Sequence, residues 1–114
     1  MPILRKPAVL SWTHHAKAKM SFYRLSPSRV RRVMNAPKRI EEGVAPKTIA
    51  MMQPGAMKTR TTWTNEIWVM VQDKNRERKV ISAWRYPGVT KPRDAVAVSL
   101  MRKEYEEFVL KNGR

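Results

Sequence analysis

The segment from Glu66 to Gln72 constrains the fold of this chain more than any other stretch of its sequence. If the segment is a strand, each of its two faces carries apolar side chains, with Ile67, Val69 and Val71 on one face and Trp68 and Met70 on the other. Both sets are removed from water only if the sheet is at least partly covered on both sides. The segment is therefore predicted to be a central strand.

Neighbouring segments show a similar strand-like pattern. Lys38 to Glu42 predicts a weak strand, Thr48 to Gln53 a stronger one, and Lys79 to Tyr86 the last. Pro54-Gly55 and the charged segment Asp73 to Arg78 predict the turns between them. In the last strand, one face is predicted to carry Val80, Ser82, Trp84 and Tyr86.

Large apolar side chains within these strands are predicted to form the core. Trp68 and Trp84 lie in periodic strands, where aromatic residues contribute most to burial. Flexible methionine side chains fill irregular gaps, and this role is predicted for Met51, Met52 and Met70.

Two helices are predicted before the strands. Thr13 has a hydroxyl suited to cap a helix from His14 to about Tyr23. Ser26 followed by Pro27 combines a capping hydroxyl with a residue preorganised for the first helical position. The second helix, which is amphipathic with a basic outer side, ends near Asn35.

The fold class predicted from these elements is α+β. Its order is a short strand at Ala8 to Trp12, two helices, an antiparallel meander of three or four strands, and a C-terminal helix from about Pro92. The helices are expected to pack against one face of the sheet. Residues 1–9 are predicted to be an arm, residues 10–88 the domain, and residues 89–114 a helical C-terminal extension.

The charge of the chain indicates its partner. Twenty-four Lys and Arg residues against nine Asp and Glu residues give a formal net charge of +15, and no acid occurs before Glu41. Such a density favours a polyanion or an acidic protein as the habitual neighbour. RNA is the predicted partner, with basic or aromatic contacts from His14, Lys17, Lys19, Arg24, Arg29, Arg31, Arg32, Lys38, Arg39, Arg60 and Trp63. The alternative is a merely solvated helix face.

Several classes of protein are excluded by composition. The chain has no cysteine, so disulfide frameworks, zinc fingers and thiol chemistry are absent. No window of eighteen apolar residues and no secretory signal pattern is present, so the expected location is the cytoplasm, with no membrane partner. No cofactor or metal site is predicted.

His14 and His15 are the only histidines and carry the clearest hint of chemistry. Imidazole is the side chain best suited to move protons when RNA is cleaved through its 2′-hydroxyl. On a helix, Lys17 and Lys19 would lie beside these rings, lowering their pKa and binding phosphate. The alternative interpretation is a helix-start histidine with a structural hydrogen bond.

Arg85 and Tyr86 complete the candidate catalytic set with His15. An arginine stabilises the extra charge on phosphate in the transition state, and a tyrosine stacks on a base or moves a proton. The enzyme hypothesis is thus a metal-independent endoribonuclease.

A set of spaced residues lies between Leu10 and Tyr86: His15-Ala16, Met20, Leu25-Ser26, Asn35-Ala36-Pro37 and the segment Lys79 to Trp84. This set resembles the RelE/BrnT-type toxin superfamily, and within it a small group that begins with a strand, a His-Ala helix and a Ser-capped second helix. The resemblance implies a compact sheet with two helices on one side and a ribonuclease or translation-blocking toxin whose basic and aromatic side chains hold RNA. Phe22 to Arg24 departs from the family pattern, in which an Arg-Gly pair is common there.

Three functions follow as hypotheses. The first is an RNA-directed protein of this class, either a ribonuclease or a ribosome-associated factor without the chemistry. The second is a non-enzymatic structural subunit of a ribosome or ribonucleoprotein. The third is a toxin held by an acidic antitoxin.

Overall fold

A computed structural model describes residues 9–111, which form one five-stranded mixed sheet and three helices. The elements are β1 (Val9–Trp12), α1 (His14–Tyr23), α2 (Pro27–Asn35), β2 (Arg39–Glu42), β3 (Thr48–Pro54), β4 (Glu66–Lys74), β5 (Glu77–Tyr86) and α3 (Ala95–Leu110). The predicted α+β class and element order are confirmed. Most of the predicted arm, residues 1–8, lies outside the described residues.

The strands lie in the order β1-β5-β4-β3-β2. Strands β2 to β5 form the predicted antiparallel meander, with β4 inside it. The tight β4–β5 turn uses Asn75 and Arg76, both at positive φ (50° and 66°), as a hairpin of right-handed twist requires. Strand β1 adds to the free edge of β5 in parallel, and Val9 pairs with Glu77. The two helices and strands β2 to β4 lie between β1 and β5 in the chain, and so long a connection makes the parallel pairing feasible.

Helix α1 lies along the edge of β5 beyond the end of β1. The Thr13 side chain caps the helix by accepting from the Ala16 amide, and its hydroxyl donates to the Ile81 carbonyl over 3.0 Å. At the other end, Arg85 Nε donates to the Tyr23 carbonyl over 2.9 Å. Both ends of α1 are therefore attached to β5.

Helix α2 begins as predicted, because the Ser26 hydroxyl accepts from the Arg29 amide over 3.1 Å. Val30 and Val33 are fully buried against the sheet. The side-chain amide of Gln53 in β3 donates to the carbonyls of Arg32 and Ala36, at 3.1 and 2.7 Å. The Arg32 carbonyl also accepts from the Ala36 amide, whereas the bond to Ala36 satisfies a carbonyl that has no partner within the helix.

The prediction that all helices cover one face of the sheet is wrong. Helices α1 and α2 cover the face that carries Ile67, Val69 and Val71, whereas α3 covers the face that carries Trp68 and Met70. Because β4 is apolar on both faces, one layer of helices would leave half of those side chains in water. The predicted burial of the tryptophans and methionines is confirmed for Trp68, Trp84, Met51, Met52 and Met70.

The prediction that Val80 shares a face with Ser82 is also wrong. The pairing of β4 with β5 shifts between Met70 and Val71, so that one extra residue, Ile81, is accommodated in β5. The bulge turns Val80 toward α1 and α2, while Ser82 and Trp84 remain on the α3 side.

The Glu66 carboxylate holds the segment between β5 and α3 in place. This carboxylate is fully buried and accepts from the indole N–H groups of Trp63 and Trp68, both at 3.0 Å. It also accepts from the amide and the hydroxyl of Thr90, at 2.9 and 2.7 Å. The part of the C-terminal extension that the structure describes therefore belongs to the packed fold. Among the described residues no helix has the length and apolarity to cross a membrane.

Candidate nucleic-acid interface

Three guanidinium groups meet where β3 and β5 end on the α1 and α2 face of the sheet. Gln53, Ile67 and Arg85 are paired across three adjacent strands, so their side chains share that face. Arg29 from α2 donates to Gln53 Oε1 over 2.6 Å and to the Pro54 carbonyl over 3.4 Å. We call Arg29, Arg32 and Arg85 the guanidinium cluster.

The charges of the cluster act on one another. Burial lowers the pKa of Arg29, and the positive charges of Arg32 and Arg85 lower it further. Among residues 9–111, no carboxylate forms an ion pair with any of these three side chains. Their hydrogen bonds go to an amide oxygen and to backbone carbonyls instead.

Besides the repulsion among the three cations, the position of Arg29 in α2 is unfavourable. Arg29 lies in the first turn of α2, where the helix dipole disfavours a cation, and that turn contains no acid. Half-buried cations held together without a counter-ion are relieved when an anion binds between them. The geometry of the cluster is therefore typical of a site for a phosphate group.

Two further cations that are exposed in the described part of the chain lie over tryptophan rings. The guanidinium of Arg31 is 5.3 Å from the Trp12 ring centroid, and Lys38 Nζ is 5.6 Å from the Trp63 centroid. Lys38 adjoins the cluster, because its amide donates to the Met52 carbonyl, one residue before Gln53. Both side chains are exposed and remain free to contact a polyanion.

The other predicted RNA contacts divide into exposed and internal residues. His14, Lys17 and Arg24 are exposed on or just after α1, and Arg60 is exposed in the β3–β4 loop. Arg39 is internal to the fold: Nε bonds Glu41 over 2.8 Å, and Nη1 donates to the Thr90 carbonyl over 2.9 Å.

Trp63 is half-buried, and Tyr86 lies on the α3 face of the sheet. The Trp63 indole N–H is taken by Glu66, which leaves only part of its ring for other contacts. Tyr86 pairs with Glu66 across the sheet and packs against the α3 core. Arg85 and Tyr86 therefore point to opposite faces, as adjacent strand residues do.

His15 is fully buried at the junction of α1, β5 and α3. Its Nε2 is 2.8 Å from Glu104 Oε1, and Lys111 Nζ is 3.2 Å from its Nδ1. Since an ammonium group can only donate, Nδ1 is the acceptor and Nε2 carries the proton that bonds to Glu104. His15 therefore fits the alternative to a catalytic role, a helix-start histidine with a structural hydrogen bond.

Glu104 binds three groups at this junction, which we call the Glu104 network. Besides His15, it accepts from the Ser82 hydroxyl and pairs with Lys19 over 3.1 Å. Burial raises the pKa of Glu104, but the bonds from Ser82, His15 and Lys19 outweigh it and hold that pKa below its ordinary value. Burial lowers the pKa of Lys19, and the bond and charge of Glu104 outweigh it, so that pKa is raised.

Glu107 lies beside His15 and Glu104, and all three side chains are of kinds that can bind a metal ion. Donor atoms of the three residues lie within 4.8 Å of one another. Lys19 and Lys111 already supply positive charge at the same place. We assign this group to the junction between α1 and α3, because its charges are balanced within the protein.

The three predicted catalytic residues contact different parts of the structure. His15 binds the Glu104 network, Arg85 belongs to the guanidinium cluster, and Tyr86 packs on the α3 side. Gln53 and Glu104, which orient groups in the cluster and in the network, were not among the predicted site residues. A polar residue ending an apolar strand was the available signal for Gln53. For Glu104 the signal was an acid between Met101 and Phe108 on the apolar face of a helix, although nothing local identifies its partner His15, 89 positions away.

Comparison of the chain with protein-family models, with curated proteins and with solved structures gives no match in any of the three.

Proposed function

We propose that this protein is an RNA-binding protein whose guanidinium cluster holds the phosphate backbone. The observation that carries the proposal is three guanidinium groups, two of them half-buried, that share one site and have no acidic partner among the described residues. Arginine presents several donors in a fixed fork that matches phosphate oxygens.

The surroundings of the cluster support a long polyanion over a single small anion. Arg31 within α2 and Lys38, three residues after the end of α2, add exposed cations, and the net charge is +15. The resemblance to the RelE/BrnT-type superfamily points to RNA as that polyanion. The cytoplasm and the ribosome are the proposed location and partner.

Binding without catalysis is the form of the proposal that the geometry favours. His15, the best candidate for proton transfer, is fully buried, and both of its ring nitrogens have partners. A ribosomal or ribonucleoprotein subunit, or a toxin-class protein that has kept the fold without the chemistry, fits this arrangement. An acidic antitoxin would compete with RNA for the same cations.

Arg32→Glu tests the proposal, because Arg32 is exposed and its change should leave the fold intact. We expect the affinity for a fluorescent RNA to fall about tenfold or more at low salt, since one phosphate contact is replaced by a repulsion. The slope of log K against log salt should become less steep by about 0.7 for a single strand. Fluorescence anisotropy over a salt series measures both.

Arg102→Glu is the matched control, because Arg102 is exposed on α3, which covers the other face of the sheet. It changes the net charge equally and should alter RNA affinity far less. Equal losses of RNA affinity in the two variants would show that only the total charge of the protein matters. That result would contradict a binding site at the guanidinium cluster. End-labelled RNA should remain intact with the wild type; cleavage that disappears in His15→Ala would overturn the non-catalytic form.

A further inference from the structure

Phe22 is the most exposed aromatic side chain described in the structure, at 76% of its full accessible surface. It lies in the last turn of α1, a helix whose other aromatic residue, Tyr23, packs into both cores of the protein. Leaving such a ring in water forfeits the stabilisation that its burial would bring. The fold therefore does not explain its position.

The ring is held in place although it is exposed. Phe22 meets Tyr23 edge to face, with centroids 4.9 Å apart and an interplanar angle of 85°. Lys19 Nζ lies 5.9 Å from the Phe22 centroid, and the Lys19 ammonium is itself held by Glu104 at 3.1 Å. A ring that is already ordered loses little conformational entropy when a second planar group stacks on it.

The backbone next to Phe22 contacts the guanidinium cluster. The carbonyl of the next residue, Tyr23, is the acceptor for Arg85 Nε at 2.9 Å. Arg24 follows, exposed and in the left-handed conformation with φ of 56°. Phe22 is thus two residues before Arg24 and one residue before the carbonyl that binds Arg85. An aromatic ring near guanidinium groups suits a nucleotide, because the base can stack on the ring while the phosphate binds the arginines.

We propose that Phe22 stacks on an unpaired base, so that the RNA bound here is single-stranded. The inference rests on the proposed function and names the class of RNA that the site accepts. Bases within a duplex have no free face for such a ring, whereas bases in single strands, loops and bulges do. Phosphates alone would be held by the cluster in either form of RNA.

The test compares a short fluorescent RNA strand with the same strand annealed to its complement, using the full chain. Wild type is expected to bind the single strand more tightly. Phe22→Ala and Phe22→Leu should each weaken single-strand binding about fivefold or more and leave duplex binding unchanged. Phe22→Trp should retain the wild-type preference, because it restores an aromatic face. Since Phe22 is exposed, circular dichroism should show all three variants folded.

The outcomes separate this inference from the proposed function. Wild-type protein that binds neither form of RNA overturns both. If Arg32→Glu weakens binding of both forms while Phe22→Ala binds the single strand like wild type, the base-stacking inference is overturned and the cluster stands.

Discussion

Glu66→Gln is expected to lower the free energy of unfolding by about 3 kcal/mol, one of the largest effects of any single substitution in this chain. The carboxylate accepts four hydrogen bonds, two at each oxygen, from Trp63, Trp68 and Thr90. An amide of the same shape has one acceptor oxygen and brings two donors to the other side.

The amide cannot satisfy these partners in either orientation. The Thr90 hydroxyl can turn and accept, but the indole N–H groups of Trp63 and Trp68 cannot, so at least one buried donor loses its acceptor. That loss costs about 1–3 kcal/mol, and the bonds that remain weaken because they no longer end on a charge.

Urea denaturation followed by tryptophan fluorescence measures the effect of Glu66→Gln. Glu106→Gln on α3 is the control, because it makes the same chemical change at an exposed position. It should shift the midpoint little. Equal midpoints for Glu66→Gln and wild type would mean that the four bonds do not hold Thr90 and the start of α3.

Glu104→Leu is expected to destabilise the protein by about 3 kcal/mol. Leucine fills a similar volume but leaves the Ser82 hydroxyl and the His15 N–H without their acceptor in the interior. Lys19 is 20% exposed and can turn to water, which limits the cost of its lost partner.

The Glu104 network also predicts how stability depends on pH. The pKa of Glu104 is below its ordinary value of 4.5, so its contribution is complete above that value and is lost as the pH falls through the folded-state pKa. The pKa of Lys19 is above its ordinary value of 10.5, so its contribution is complete below that value and is lost at higher pH. Stability from this pair is greatest between about pH 5 and 10.

Thermal denaturation from pH 3 to pH 7 tests this dependence. The difference in stability between wild type and Glu104→Leu should shrink as the pH falls. Glu107→Gln serves as the control, because Glu107 is 36% exposed and 4.0 Å from His15. A gap between wild type and Glu104→Leu that stays constant down to pH 3 would mean that Glu104 contributes only by its shape.

Most of the secondary structure was predictable because its signals are local. Thr13 and Ser26 cap helices through bonds to residues three positions away, and the run of β-branched and aromatic residues in β4 indicates a strand without reference to any partner. Helix α3, predicted from about Pro92, begins at Ala95 with Asp94 as its N-cap.

The parts that escaped prediction depend on residues far apart in sequence. No local pattern shows that β1 lies parallel to β5, that Glu104 reaches His15, or that Ile81 forms a bulge. For the candidate site, the basic residues of α2 were identified from charge alone. Their proximity to Arg85 depends on the register of the sheet, and the exposure of Phe22 depends on how α1 lies along β5.

The parallel pairing of β1 with β5 also determines when the chain can finish folding. Strands β2 to β5 are joined by successive hairpins, whose short loops close quickly. Val9 must wait for Glu77, and closing so long a loop carries an entropic cost before any contact repays it. During synthesis on a ribosome, the acid-free N-terminal third therefore leaves the exit tunnel well before its strand partner does. Strand β1 and helix α1, which both bond to β5, are thus the parts of this basic third that stay longest without their final contacts, close to ribosomal RNA.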